Sequence, residues 1–522
     1  MKMKMKRVFA LLLSVLVLLS CTACGGTGVG GKNSGSDRPI QLTIQLFEGG
    51  YGREWLDNMV AAYEAIRTDV KITVKTTVNS VPAEQLVNAG KSTFDIVMLN
   101  YGFWQDSYDG TIVDLTDVYT YTCEGENQSI MEKCNDTIVE FFNIGTEENP
   151  KFNQMCWATA TSSLCYNKTT LDEILGAGNW EEPNTTDEWL ALCARVQGDA
   201  SKAYAFVFSG KLEDTILMPT WTAQYMSYDN YYNYCHGNYQ DDNGNFVAAG
   251  MGDGQKLVSQ NGSLAGMKVL ETLCTTYAHP YSIDLEFNDA QKVFCGYGSG
   301  VKTQKVAFMA NGDWLESEVS MLLANKPQDI RMMRVPMISA IIDKCDTISD
   351  DATLSAVIDA IDSGATSYEG VSDEDFARIA EARMNVASLS GIHALAIPKT
   401  SKNVDEAKNF LKFMFSEAGQ KIYAQAENGL AMPYGYDPSK DSDVQVSTFV
   451  QSANECILGD INMIYNPDYS SPVMFFGGLG VLPGTAQNQF FSKSTTAEAL
   501  YAKTMESISN RWDQILNASG GN

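Results

Sequence analysis

The sequence predicts an α/β fold built around mostly parallel sheet, on three observations. From residue 41 onward, apolar residues switch repeatedly between strand-like alternation and helical spacing. The early segments follow a β-α-β-α-β order, which is the rhythm of parallel sheet with helical crossovers. The hydrophobic fraction is 44%, with 24 Tyr, 22 Phe and 8 Trp, which supports a large core and excludes a disordered chain.

The N-terminus comes first. Lys2, Lys4, Lys6 and Arg7 precede an apolar run, Val8 to Leu19, broken only by Ser14. Cys21-Thr22-Ala23-Cys24-Gly25-Gly26 follows. This is the layout of a secretory signal peptide. The apolar run falls short of the roughly 20 residues that span a bilayer. Small residues before Cys-Gly-Gly resemble a bacterial lipobox, with Cys24 as the expected lipidated residue and Cys21 as the alternative. The competing and weaker reading is an ordinary cleaved signal with an incidental cysteine. Residues 1–23 are thus expected to be a signal peptide and 24–38 a Gly/Ser-rich tether.

Gln41 to Phe47 is the first expected strand. Trp55, Leu56, Met59, Val60, Tyr63 and Ile66 fall at helical spacing. Val70, Ile72 and Val74 alternate with Lys71, Thr73 and Lys75 as a second strand. Pro82 opens a short helix through Val87, where proline is tolerated. Phe94 to Leu99 is a buried strand. After a less regular stretch, 119–153, Met155 to Tyr166 is expected to form one strand. Thr185 and Glu188 make a capping box before a helix. Tyr204 to Phe208 is a strand, and Asn243-Gly244 marks a hairpin. Val404, Ala407, Phe410, Leu411, Met414 and Phe415 line one helix face. Thr495 with Glu498 is expected to cap the last helix, which buries Leu500, Ile508, Trp512 and Ile515.

Net charge is −27, and loss of the leader's four positive charges takes the mature chain to −31. Such a surface repels nucleic acid and anionic lipid. Ten cysteines lie beyond the leader, most within apolar patterns; Cys123 and Cys134, flanking a polar loop, are the one pair whose spacing would allow a bridge, and the sequence leaves their state open.

Catalytic signatures are missing. The three histidines, His236, His279 and His393, have no metal spacing, so neither a metal site nor a cofactor is expected. Ala89-Gly90-Lys91-Ser92 looks like the tail of a phosphate loop, but Gln85 stands where the first glycine belongs. There is no G-x-S-x-G elbow. Among 64 acidic residues no carboxylate pair stands out for glycoside hydrolysis.

Five segments resemble family 1 extracellular solute-binding proteins of ABC importers. Phe94 to Asn100 looks like their "DIV" strand, and Tyr166-Asn167-Lys168 like their "YNK". Pro183 to Leu190 resembles their "P-x-T-x-x-E-(W/L)" helix start. Lys305 to Met309 with Asn311-Gly312-Asp313-Trp314 resembles "AM…NG-x-W". Leu395 to Pro398 with Ala407 to Phe415 resembles "AIPK…A-x-x-F-x-x-F". The segments keep the family's order and cover most of residues 39–520.

The resemblance implies a two-lobed fold of the periplasmic-binding-protein type, with crossover segments and an interlobe cleft at the carboxyl edges of the sheets. Lobe 1 is expected to combine 39–153 with 331–427, and lobe 2 to combine 154–330 with 428–522. An acidic helical insertion at about 339–387, with Leu354, Val357, Ile358 and Ile361 on one face, departs from the family pattern. The resemblance further implies a monomeric, non-enzymatic protein, lipid-anchored outside the cytoplasm, with a Gram-positive cell surface as the expected setting. It would capture a carbohydrate, expected to be an oligosaccharide, and pass it to the transmembrane subunits of an ABC permease. A surface glycan-acting enzyme, an adhesin, and a binder of a non-sugar solute are the alternatives.

Sugars offer C–H faces to aromatic rings and hydroxyls to polar side chains, so strand ends carrying both are the candidate contacts. These are Glu48 after the first strand, Asn100, Tyr101 and Trp104 after the third, and Trp157 in the crossover strand. Asp313 and Trp314 match the family's aromatic position. Trp221 and Tyr225, one helical turn apart, and Phe475 and Phe476 complete the set. Core packing is the competing explanation for each large aromatic.

Overall fold

The computed structural model describes residues 38–102, 110–198, 203–209, 213–297, 305–388, 392–457, 461–465 and 486–518. Trp104, Phe475, Phe476 and the leader with Cys21 and Cys24 lie outside them. The first sheet receives β1 (Ile40–Phe47), β2 (Val70–Thr77), β3 (Ile96–Met98) and β4 (Met155–Ala158). The chain then enters a second sheet with β5 (Thr161–Asn167) and β6 (Tyr204–Phe206). A hairpin, β7 (Asn238–Gln240) and β8 (Phe246–Ala248), turns at Gly244, whose φ of 81° favours glycine. β9 (Val306–Gly312), β10 (Ile330–Met333) and β11 (Asn385–Ser388) return to the second sheet. β12 (His393–Ala396) goes back to the first, and β13 (Asn462–Tyr465) to the second.

The first sheet runs β2-β1-β3-β12-β4, with β1, β2 and β3 parallel and β12 antiparallel to both its neighbours. The second runs β13-β11-β5-β9-β6, with β10 also paired to β5. This is a two-lobed α/β architecture, one sheet per lobe. The helix Glu54–Ile66 packs Trp55, Leu56, Met59, Val60 and Tyr63 inward, while Ile66 at its end is exposed. Pro82 sits in the first turn of the helix Val81–Asn88. Thr185 caps its helix as expected, and Glu188 reaches back to the Asn184 N–H at 2.8 Å. For the last helix the cap is Thr496, not Thr495: its Oγ1 accepts the Ala499 N–H at 3.2 Å.

Three further expectations change. Met155 to Tyr166 is two strands in two sheets, so the first crossover runs through 159–160. Ala160 takes φ 50° there, a left-handed conformation that strains a residue with a Cβ. Strands β10 and β11 lie in the second sheet, so the chain returns to the first lobe between 388 and 393, not near 331. The 339–387 segment therefore belongs to the second lobe. Its Leu354, Val357 and Ile358 are buried, and Asp351 accepts the Thr185 hydroxyl at 2.7 Å. The last passage follows the helix Glu417–Ala426, because the helix Thr448–Ile457 packs on β10 and Ser452 accepts the Met332 N–H at 2.9 Å. Cys123 and Cys134 are buried free thiols, as are most of the described cysteines; Cys123 Sγ contacts the Lys412 carbonyl at 3.5 Å instead.

Candidate functional site

The carboxyl ends of β1 and β9 meet at the first crossover. Glu48, Gly49 and Gly50 lead from β1 to Tyr51, which is buried. Gly312 ends β9 and leads to Asp313 and Trp314. Tyr51 donates its hydroxyl to Asp313 Oδ1 at 2.6 Å, a bond between lobes. The other oxygen of Asp313 accepts the Thr161 N–H at 3.2 Å, and the Asp313 N–H returns to the Thr161 carbonyl at 2.9 Å. Ser388, at the edge of the second crossover, donates to the Thr159 carbonyl at 2.7 Å. Both crossovers and both lobes are thus tied at one point.

Gly50 permits the approach. A Cβ there would lie 2.8 Å from Cβ of Trp314, so any side chain would require the loop or Trp314 to shift. Trp314 is 9% exposed, held over Gly312 and edge-on to Tyr51 at 6.3 Å. Behind Tyr51 lies a ring cluster. His393 stands 5.5 Å away, Trp157 5.8 Å, and Trp55 stacks on Trp157 at 5.6 Å.

The site is dry, and its ionisable groups respond. Burial pushes the Asp313 carboxyl up to about 7, although the Tyr51 hydroxyl and Thr161 N–H pull the other way. Burial, with Glu54 and Asp313 nearby, pushes Glu427 up to about 8. Burial lowers His393 to about 3, so its ring is neutral. An acid whose pKa rises on folding binds its proton more tightly in the native state. Glu427 therefore leaves stability untouched below its ordinary 4.5 and lowers it progressively as pH climbs toward 8. Glu427→Gln is expected to flatten the fall in melting temperature between pH 5 and pH 9. A variant melting profile parallel to the parent's would acquit this carboxyl.

The candidate contacts separate into groups. Asp313 and Trp314 are at the lobe junction, with Glu48 on the loop beside it. Asn100 and Tyr101 follow β3 but are engaged within their own lobe: Asn100 accepts from Ser80 Oγ at 2.7 Å, and Tyr101 donates to Glu84 at 2.6 Å. Trp157 and Trp221 are fully buried. Their indole N–H groups are spent on the carbonyls of Leu99 at 2.9 Å and Pro336 at 3.0 Å. Tyr225 is half-buried on the wall of a separate cavity in the second lobe. Tyr51, His393 and Glu427 were not foreseen. Tyr51 alone had a signal, its place just past Gly49-Gly50 at a strand end. Among the described residues no cluster of metal-ligating side chains occurs, and no helix is long and apolar enough to cross a membrane.

The family profile described as bacterial extracellular solute-binding protein matches residues 58–447. The chain belongs to that family. As a solute-binding protein it shares its fold with several solved structures. A binding protein, MsmE, from Bacillus subtilis in an open conformation is 15% identical, with a TM-score of 0.54 over 91% of this chain and 98% of that one. RafE from Streptococcus pneumoniae, in its apo form, is 12% identical at a TM-score of 0.57, covering 92% and 99%. The GacH receptor of Streptomyces glaucescens is 13% identical at 0.55, covering 91% and 98%. Its structures include a complex with acarbose, and RafE is also known in complex with raffinose. No curated protein matches this solute-binding protein in sequence.

Proposed function

We propose that this solute-binding protein captures an oligosaccharide between its lobes and delivers it to the transmembrane subunits of an ABC importer. The observation that carries the reading is the lobe junction, where Trp314, Tyr51 and the Asp313 carboxyl meet between the lobes, buried in this arrangement. An aromatic face beside a carboxyl suits the C–H faces and hydroxyls of a sugar. The raffinose and acarbose complexes of RafE and GacH support the same ligand class. Closure of the lobes would let both faces contact the solute, and the solute would shift the equilibrium by its preference for the closed state.

Calorimetry against an oligosaccharide panel that includes raffinose tests the reading. Binding without turnover is expected; release of monosaccharides would favour a glycan-acting enzyme. Trp314→Ala should weaken binding by about 1–3 kcal/mol, the scale of one large apolar contact. Unchanged affinity in a folded variant would remove Trp314 from the site.

The protein acts as a monomer held outside the cytoplasm of a Gram-positive cell by acyl chains on Cys24. Several chains hold firmly, each methylene adding about 0.8 kcal/mol. Mass analysis of the mature N-terminal peptide should find lipid on Cys24; lipid on Cys21, or none, contradicts this.

A further inference from the structure

We propose that the second lobe carries an accessory site for a small molecule bearing an oxyanion, its two cations supplied by the 339–387 segment. A cavity of about 520 Å³ is walled by Tyr225, Met226, Asn261, Lys344 and Arg378, among others. None of the residues at the lobe junction lines it. Both cations come from the 339–387 segment. Lys344 ends its first helical turn, Ser339–Lys344, and Arg378 lies on the helix Asp373–Arg383.

This chain has 64 acidic residues against 37 basic ones, so a cation readily finds a carboxylate. Arg53, Arg67, Arg331, Arg383 and Lys421 each do. Lys344 and Arg378 make no ion pair or side-chain hydrogen bond with any described residue. Lys344 lies over the Tyr225 ring, 4.8 Å from its centre. Two of the acids one turn from Arg378 are otherwise engaged. Asp375 accepts the N–H groups of Asp346 and Thr347, at 3.0 and 2.6 Å, and Glu381 accepts that of Tyr228 at 2.7 Å.

Asn261 is in the same wall, 8% exposed, with its Oδ1 used by Ser263 and its side chain against the buried Tyr234 hydroxyl. The cavity therefore gathers an ammonium and a guanidinium that no described carboxylate pairs with. Carboxylate or phosphoryl oxygens take charge-assisted bonds from such groups, and a guanidinium can hold two of them at once. Tyr225 and Met226 would contact the ligand's apolar body.

Calorimetry on the intact protein with inorganic phosphate and with phenyl phosphate tests the site. Both are expected to bind, phenyl phosphate more tightly. Lys344→Gln combined with Arg378→Gln should lose about tenfold or more of the phenyl phosphate affinity, since charge-assisted bonds are the strong ones. Both side chains reach solvent and are unpaired, so the melting temperature should hold. No binding by the parent, or equal binding by the double variant, overturns the proposal. Sedimentation with phosphatidylglycerol vesicles separates a free anion from a lipid headgroup. No enrichment over phosphatidylcholine vesicles is expected; recruitment that depends on Lys344 and Arg378 would overturn the small-molecule assignment.

Discussion

Replacing Trp157 with alanine is expected to cost about 3–5 kcal/mol of stability, the range for emptying a tryptophan site in a core. Trp157 is fully buried in β4, one residue before the first crossover begins to leave the sheet. Its ring stacks on Trp55 with the planes 17° apart and supports Tyr51 and His393 edge-on or tilted. Its N–H is the hydrogen-bond partner of the Leu99 carbonyl, so alanine leaves that buried acceptor unpaired as well. The loss should appear as a lower denaturant midpoint, with any change in solute affinity following from the displaced Tyr51. A variant that melts like its parent yet no longer binds solute would make Trp157 a contact after all.

The first lobe was legible because its strands obey simple periods. Leu42, Ile44 and Leu46 alternate in β1, and the following helix carries its buried residues on one stripe. The second crossover was illegible for a physical reason. Asn385–Ser388 is four residues long and buried on both faces, so β11 shows no period at all. The helices before it are amphipathic and pack on the second lobe, which pattern alone cannot distinguish from a return to the first. The β4–β5 break was hidden because residues 155–166 are all buried and the turn at Ala160 uses neither glycine nor proline.

The placement of the candidate contacts follows the same logic. Spacing placed Trp221 and Tyr225 on one helix, but it could not say which neighbour covers Trp221; that is the 336 carbonyl and Trp189. Asp313 and Trp314 stand at the lobe junction, at the end of β9 that a motif marked. Their partner Tyr51 lies 262 residues away in sequence. Its place just past Gly49-Gly50 is the one local signal it carries; what selects it is the close approach that Gly50 allows.

That partnership yields a prediction whose size should depend on pH. Tyr51→Phe keeps the ring and deletes the hydroxyl that meets Asp313 at 2.6 Å. The bond from the Thr161 N–H that remains is longer at 3.2 Å. A hydrogen bond to a charged group is worth about 1.5–3 kcal/mol and one to a neutral group about 0.5–1.5 kcal/mol. With the folded-state value of Asp313 near 7, its carboxyl is mostly protonated at pH 5 and mostly ionised at pH 8.5. Loss of the donor raises that value further, so the native state pays more as pH increases through it. Urea denaturation should therefore show a small loss at pH 5 and a loss near the upper figure at pH 8.5. Equal losses at both pH values would mean that Asp313 keeps one protonation state throughout, and that the junction is held by ring packing alone.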